Sequence, residues 1–310
     1  MLLTLLNARP GAALLLDEAD AHLHVILQDA ILGELRSVAA RQASQLIIAT
    51  HSEVLINAAD LRELCVLVDR PVMVGSDDER RLLLSSLKVL SNEDIMLALQ
   101  APGVLYLEGH TDLELLRAFA RVLAHPALEL LTTRLFWRPV VAEAPGAGPG
   151  IKAKEHYDAL RLVRDIPGLQ IVDGDNQPGV AQTAITGHGF QRLRWRRYEI
   201  ESYLVHPSVL ARFVTRMVGE AGAKPHVDDL LAHLQANLPP AVFADPAVEH
   251  PYLNTVKART DILPQALTAA GVLGLPYTRY HEIADCMLPE EVHPEIREKL
   301  DGIVAALGQA

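Results

Sequence analysis

The sequence predicts an α/β protein. Three observations carry this. Short apolar runs of strand length recur, and the clearest of them end in carboxylates: Ala12–Leu16 before Asp17 and Glu18, Val104–Leu107 before Glu108, and Leu169–Val172 before Asp173. These runs alternate with stretches of helical periodicity such as Leu113–Leu123 and Ile151–Arg164, the order expected of a parallel sheet with crossover helices. Half of the 310 residues are hydrophobic, enough for a sizeable core and for two domains.

Composition narrows the function classes. The net charge is −11 and the isoelectric point about 5.6, which excludes a globally basic nucleic-acid binder. Any nucleic acid must meet a local basic patch and metal ions. The two cysteines, Cys65 and Cys286, lie far apart and argue against a disulfide scaffold, and no zinc-type Cys/His spacing occurs. The apolar start, Met1–Leu6, lacks a basic flank and a cleavage site, so it reads as the end of a buried helix rather than a signal peptide. No apolar run reaches membrane-spanning length, and a cytoplasmic protein without membrane contact is expected.

Taken in order, Ala12–Leu16 is a buried strand ending at Asp17 and Glu18. The segment Ala19–His24 leads into a helix to about Ala40, and Gln45–Thr50 is a second strand ending at His51 and Ser52. Leu64–Val68 gives another strand. The charged run Gly75–Arg81 reads as a turn, with Arg81–Lys88 as its returning strand. Ser91–Asp94 starts a helix that runs to about Gln100, and Pro102-Gly103 breaks it, which places a domain boundary there.

Beyond that boundary Val104–Leu107 is a buried strand with Glu108 at its end. Gly109 permits a tight turn, and Asp112 falls in the first turn of the next helix. Phe136–Val141 is a second strand, and Ala144–Gly150 reads as a solvated connector. Lys152 and Lys154 stand at a helix start, where cations oppose the helix dipole. Asp173 and Asp175, two apart at a strand end, are expected to project to the same side. Glu108, Asp112, Asp173 and Asp175 would then gather at the carboxyl edge of one parallel sheet, where open α/β folds place their sites. Crowded carboxylates repel unless a cation neutralises them, and oxygen-only ligands suit Mg²⁺ or Mn²⁺. The blander alternatives are acids favoured at a helix start and an ordinary turn at Asp173–Asn176. Further on, Arg192, Arg194, Arg196 and Arg197 interleave with Trp195 and Tyr198, which suits either a solvated edge strand or a grip on phosphates. Alternation puts Arg192, Arg194 and Arg196 on one face and Trp195 and Arg197 on the other. From His206 on the pattern is helical, and Lys257 precedes a helix.

Two motif sets carry resemblances. LLLDEADAHLH and IIATHS resemble the Walker B, D-loop and switch-histidine strands of ABC-type ATPase heads. That resemblance implies that Asp17 holds Mg²⁺ through water, Glu18 polarises the attacking water and His51 contacts the γ-phosphate. No phosphate-cradling GxxxxGK[ST] loop occurs, and the signature motif expected upstream is absent. A truncated head is therefore expected, which alone binds no ATP and leaves the rest of the ATPase to a second chain.

Glu108 followed by Asp173-x-Asp175 resembles the Toprim domain, with Asp112 in its extended form. RYEIESYL resembles the segment downstream of the Asp-x-Asp in Toprim nucleases of the OLD (overcoming lysogenisation defect) family, where Glu201 holds the matching acid position. ATPase head followed by Toprim is the layout of that family. It implies an ATPase part over 1–100, a Rossmann-like Toprim nuclease over 101–205 and a helical region over 206–310. The implied activity is metal-dependent DNA endonuclease cleavage in phage defence or DNA processing. Two Mg²⁺ or Mn²⁺ ions are expected, bridged by Asp173, with Glu108 and Asp112 on one and Asp175 and Glu201 on the other. Lys257, or Lys152 and Lys154, would neutralise the phosphate, and the arginines would hold the backbone. A homodimer fits as well. The rivals are an RNA-cleaving, primase or topoisomerase relative on the same fold, and a non-catalytic scaffold or dimerisation module.

Overall fold

The computed structural model describes residues 9–18, 23–67, 71–141, 151–177, 183–185 and 189–308. The expected Asp20 and His22 of the D-loop and the Ala144–Gly150 connector lie outside the described residues. The chain divides into two compact units, one of Met1–Glu93 with Leu162–Arg164, the other of Asp94–Arg161 with Asp165–Ala310.

In the first unit, β1 (Ala13–Asp17), α1 (Val25–Arg41) and β2 (Gln45–Ala49) form a βαβ element. The two strands are parallel, in register from Ala13 opposite Gln45 to Asp17 opposite Ala49. Period-2 alternation turns Leu14, Leu16, Leu46 and Ile48 onto Leu35 and Val38 of α1. The other face leaves Leu15 75% and Ile47 46% exposed. α2 (Glu53–Ala58) follows, with the Ser52 hydroxyl accepting from Leu55 N–H at 3.4 Å. β3 (Cys65–Leu67) then pairs antiparallel with β4 (Pro71–Met73).

The expected returning strand over Arg81–Lys88 is instead part of a helix, α3 (Asp77–Val89). Its start was written in the charged run itself. The Ser76 hydroxyl accepts from Glu79 N–H at 3.2 Å, Glu79 reaches back to Gly75 N–H at 2.7 Å, and Asp77, Asp78 and Glu79 fill the first turn. Ser-x-x-Glu at a helix start is a stronger signal than the glycine that suggested a turn.

The second unit is built on a five-stranded sheet. After α4 (Asn92–Gln100) come β5 (Val104–Leu107), α5 (His110–Val122), α6 (Ala127–Thr133), β6 (Phe136–Pro139), α7 (Ala153–Val163), β7 (Gly168–Val172), β8 (Thr183–Ile185) and β9 (Phe190–Arg194). The sheet order is β6-β5-β7-β9-β8, with the first four strands parallel and β8 antiparallel at the edge. The chain leaves β5 to one side for β6, then crosses to the other side for β7. That reversal is a topological switch point at the carboxyl ends of β5 and β7, the position at which open α/β folds place their sites. β5 is wholly buried, as a central parallel strand must be. Beside it Tyr106 hydroxyl meets His156 Nδ1 at 2.9 Å, and His156 Nε2 lies 3.3 Å from the buried Asp94 carboxylate, which also pairs with Arg138.

The helical remainder is not a separate body. A 3₁₀ turn (Ile200–Leu204), α8 (Pro207–Val218), α9 (Ala223–Asn237), α10 (Pro240–Ala244), α11 (Pro251–Thr255), a π-helical turn (Ala258–Ile262), α12 (Leu263–Ala269), α13 (His281–Ala284) and α14 (Pro294–Leu307) follow. Their apolar faces join the sheet in one core that runs from Leu105 to Leu307. A buried polar bolt reinforces it. Glu295 of α14 accepts from Arg196 N–H at 2.9 Å and from the Tyr203 hydroxyl, and sits 3.2 Å from Lys299 Nζ. Among the described residues no helix is long and apolar enough to cross a membrane.

Candidate functional site

Glu108 and Asp173 stand where two neighbouring parallel strands end, so the sheet itself brings them together. Asp173 N–H donates to Glu108 Oε1 at 3.3 Å. Asp112, third residue of α5, reaches back to accept from Gly109 N–H at 3.0 Å, which fixes its carboxylate beside Glu108. The turn after β7 explains the spelling Asp-Gly-Asp-Asn. A Cβ on Gly174 would meet the Arg197 carbonyl oxygen at 2.2 Å, so only glycine lets the backbone of 195–197 pass. Asp175 and Asn176 then adopt left-handed φ of 49° and 51°, a conformation these two residue types tolerate best after glycine. Asp175 therefore lies in a turn, not along the extended strand that would have aligned it with Asp173. It is exposed, and its charge acts on Glu108.

Glu199 and Glu201 complete the cluster from the far side. Both are buried, at the start of the 3₁₀ turn. Glu199 Oε1 accepts from Arg259 N–H at 2.6 Å. Glu201 is 2% exposed and its Oε1 has no hydrogen-bond partner.

Desolvation raises the proton affinity of Glu108, Asp112, Asp173, Glu199 and Glu201, and repulsion among these acids adds to it at Asp112, Asp173 and Glu201. Asp173 is pushed well above the usual carboxylate range by burial, then by Glu108, Asp112, Glu201 and Glu199. Burial, reinforced by Glu199 and Asp112, pushes Glu201 up to about 8. Burial pushes Asp112 up to about 6, against the relief given by Gly109 N–H. Glu108 and Glu199 are raised mainly by burial, with Asp173 N–H and Arg259 N–H respectively acting the other way. Low dielectric and like charge are the two causes, and both favour a bound cation.

Two cations border the acids. Lys257 Nζ lies 5.3 Å from the Tyr198 ring centroid, and its charge is felt by Glu108 and Glu199. Arg259 Nη1 stands 3.8 Å from Glu201 Oε1. Burial would lower the Arg259 pKa, but Glu201, Glu199, Asp173 and Asp112 together raise it above its ordinary value. Lys152 and Lys154 pair with Glu155, at 2.9 Å, and Asp158.

The arginine run does not lie on an edge strand, one of the two expectations for it. β9 is interior, covered by β8 on one side and β7 on the other. The alternation holds, with Leu193, Trp195 and Arg197 buried and Arg192, Arg194 and Arg196 partly exposed. Arg197 is committed to the fold: it donates to the carbonyls of Ser202 at 3.0 Å and Pro246 at 2.6 Å and cannot grip a phosphate. Arg194 donates to the Asp173 carbonyl at 2.6 Å, Arg192 to Gln170 at 2.8 Å and Arg196 to Glu298 at 2.7 Å. Trp195 packs against Tyr203, 5.2 Å between centroids, and is not free to stack on a base. Sequence reasoning gave a role to Glu201 but none to Glu199 or Arg259. The signal available for both was the pair Glu199-x-Glu201 read with the Lys257-x-Arg259 that follows it.

Among the described residues no three His, Cys, Asp or Glu side chains are placed so that together they could hold a metal ion. The donor chemistry nonetheless fits a hard divalent cation: the acids offer oxygen only, and Glu201 Oε1 is buried without a hydrogen-bond partner. Mg²⁺ commonly keeps several waters and takes one or two carboxylates directly, so an open arrangement suits it.

In the first unit Glu18 and His51 meet at the carboxyl ends of β1 and β2. His51 Nδ1 lies 3.7 Å from Glu18 Oε1, both side chains are exposed, and Asp17 closes β1 beside them.

Fold and site thus define a mixed α/β protein with a largely parallel sheet and a crowded acidic cluster at its carboxyl edge. The N-terminal segment is ATPase-like: residues 1–57 match the family model described as "AAA domain, putative AbiEii toxin, Type IV TA system". No curated protein matches the chain.

Proposed function

We propose that the second unit is a Toprim-like, metal-dependent nuclease that hydrolyses phosphodiester bonds in DNA, within an OLD-like ATPase–nuclease chain acting in phage defence or DNA processing. The observation that carries this reading is the convergence of Glu108, Asp112, Asp173, Glu199 and Glu201 on the carboxyl edge at a switch point, every one with its proton affinity raised. Asp173 is the central acid, since four others act on it. Glu108 and Asp112 would hold a cation from the β5 side, and Glu201 from the other, with Asp175 within reach of Glu108. A bound Mg²⁺ or Mn²⁺ supplies charge neutralisation and Lewis acidity for hydrolysis. Lys257 and Arg259 border the acids as positive charges suited to a phosphate oxygen. The ATPase-like segment lends support, because ATPase head before Toprim is the order expected.

Asp17, Glu18 and His51 can act only on a nucleotide held by a phosphate-gripping loop, which this sequence does not contain. The apolar face of β1 and β2, with Leu15 and Ile47 outward, supports completion of the ATPase by further polypeptide.

The test is supercoiled plasmid incubated with purified protein and Mg²⁺, Mn²⁺ or EDTA. Nicked or linear product with metal alone, lost in Asp173→Ala, is expected. Cleavage persisting in EDTA, or at the wild-type rate in Asp173→Ala, would overturn the reading. Cleavage of RNA but not plasmid would change the substrate and keep the chemistry. One observation favours a scaffold instead: no three of the described His, Cys, Asp or Glu side chains are placed so that together they could hold a metal ion.

A further inference from the structure

The segment around Arg259 is unusual in its backbone. Ala258–Ile262 is a π-helical turn, a geometry that carries an extra residue and concentrates at functional sites. The turn is pinned at this one residue. Glu199 accepts its N–H at 2.6 Å, and the Tyr280 hydroxyl donates to its carbonyl at 3.4 Å. The guanidinium is held differently. Its Nη1 is 3.8 Å from Glu201 Oε1, its Cζ lies 5.6 Å from the Tyr277 ring centroid, and about a third of the side chain, 36%, meets solvent. At 3.8 Å the attraction is of charge alone, not a hydrogen bond. Glu201 Oε1, buried and without a hydrogen-bond partner, has that charge as its nearest compensation. Arg197 is the contrast within the same unit: buried, hydrogen-bonded to carbonyls, and fixed.

We propose that Arg259 is the resident counter-ion of the carboxylate cluster, held against Glu201 in the metal-free protein and displaced from it when a divalent cation binds. Its backbone is anchored while its head is held by charge only, so it is a positioning residue with two arrangements available. Displacement rests on the metal reading above; the counter-ion role in the metal-free protein does not. A fixed structural pair and a displaceable counter-ion differ in sign. Losing a structural pair loosens the fold and the cation site together. Losing a counter-ion loosens the metal-free fold but removes a positive charge that repels the cation.

Arg259→Met and Arg259→Lys separate the two, by Mn²⁺ calorimetry without nucleic acid and by metal-free thermal melting. Arg259→Met is expected to melt lower than wild type yet bind Mn²⁺ about tenfold more tightly. Arg259→Lys keeps the charge and should match the wild type in both. Unchanged or weaker Mn²⁺ binding by folded Arg259→Met overturns the proposal, and so does a tenfold change in Arg259→Lys, which stays informative if the methionine variant does not fold. A wild type that binds no Mn²⁺ overturns displacement and the metal reading together. The counter-ion role is then decided by melting alone: a lower midpoint for methionine than for lysine upholds it, and equal midpoints overturn it.

Discussion

At the end of β7, Asp173 sits among four other carboxylates with one backbone N–H shared to Glu108, and this crowding has a measurable sign. Glu201 is held up to about 8 and Asp112 up to about 6, both above their ordinary values, so the folded protein binds more protons than the unfolded chain between roughly pH 4 and 8. Metal-free stability should therefore fall as pH rises from 5 to 8, by something on the order of 5 kcal/mol, and saturating Mn²⁺ should reduce the loss. Urea denaturation at the two pH values, with and without Mn²⁺, checks this; stability that rises with pH in the metal-free protein would contradict it. At this scale Glu108, Asp112 and Asp173 were legible in the sequence, because each is tied to a strand or helix end that local pattern reveals. Arg259 was not. Its place beside Glu201 depends on packing between segments nearly 60 residues apart and on a π-helical turn that no periodicity announces.

Elements were legible where their boundaries carried local chemistry. β5 runs over the four residues expected of it, and β7 begins one residue early. α3 was misread because a glycine drew attention away from a capping box. The position of β9 could not be read at all, since strand order within a sheet is set by crossovers and not by any one strand's composition. Interior placement is what commits Arg192 and Arg194 to partners on β7 and at its end. The tightest element is the turn after β7, where the backbone of Trp195 and Arg197 passes over Gly174. Gly174→Ala is expected to cost at least about 2 kcal/mol, because the contact is with backbone, which has no rotamer to yield. It should also weaken Mn²⁺ binding by moving Asp173. Denaturant midpoints and calorimetry on that variant test both, and a midpoint equal to that of the wild type would show that the turn can relax.

For the whole molecule, a net charge of −11 opposes DNA at long range, so the DNA affinity that the nuclease proposal requires must come from local cations such as Lys257 and Arg259, and low salt should help less than it does for basic DNA binders. The two units also divide the chemistry. The ATPase-like segment carries Asp17, Glu18 and His51 without a phosphate-gripping loop, and titration of the chain alone with ATP should give no binding isotherm; a tight one would mean that another loop cradles the phosphates. Every nuclease expectation depends on whether the acids of the second unit take up a divalent cation. Calorimetry of wild type and Asp173→Ala with Mn²⁺ asks this most directly. Saturable Mn²⁺ binding by the wild type, lost in an Asp173→Ala protein that melts no lower when metal-free, is the expected result. Equal Mn²⁺ binding by both proteins, or none by either, would contradict it.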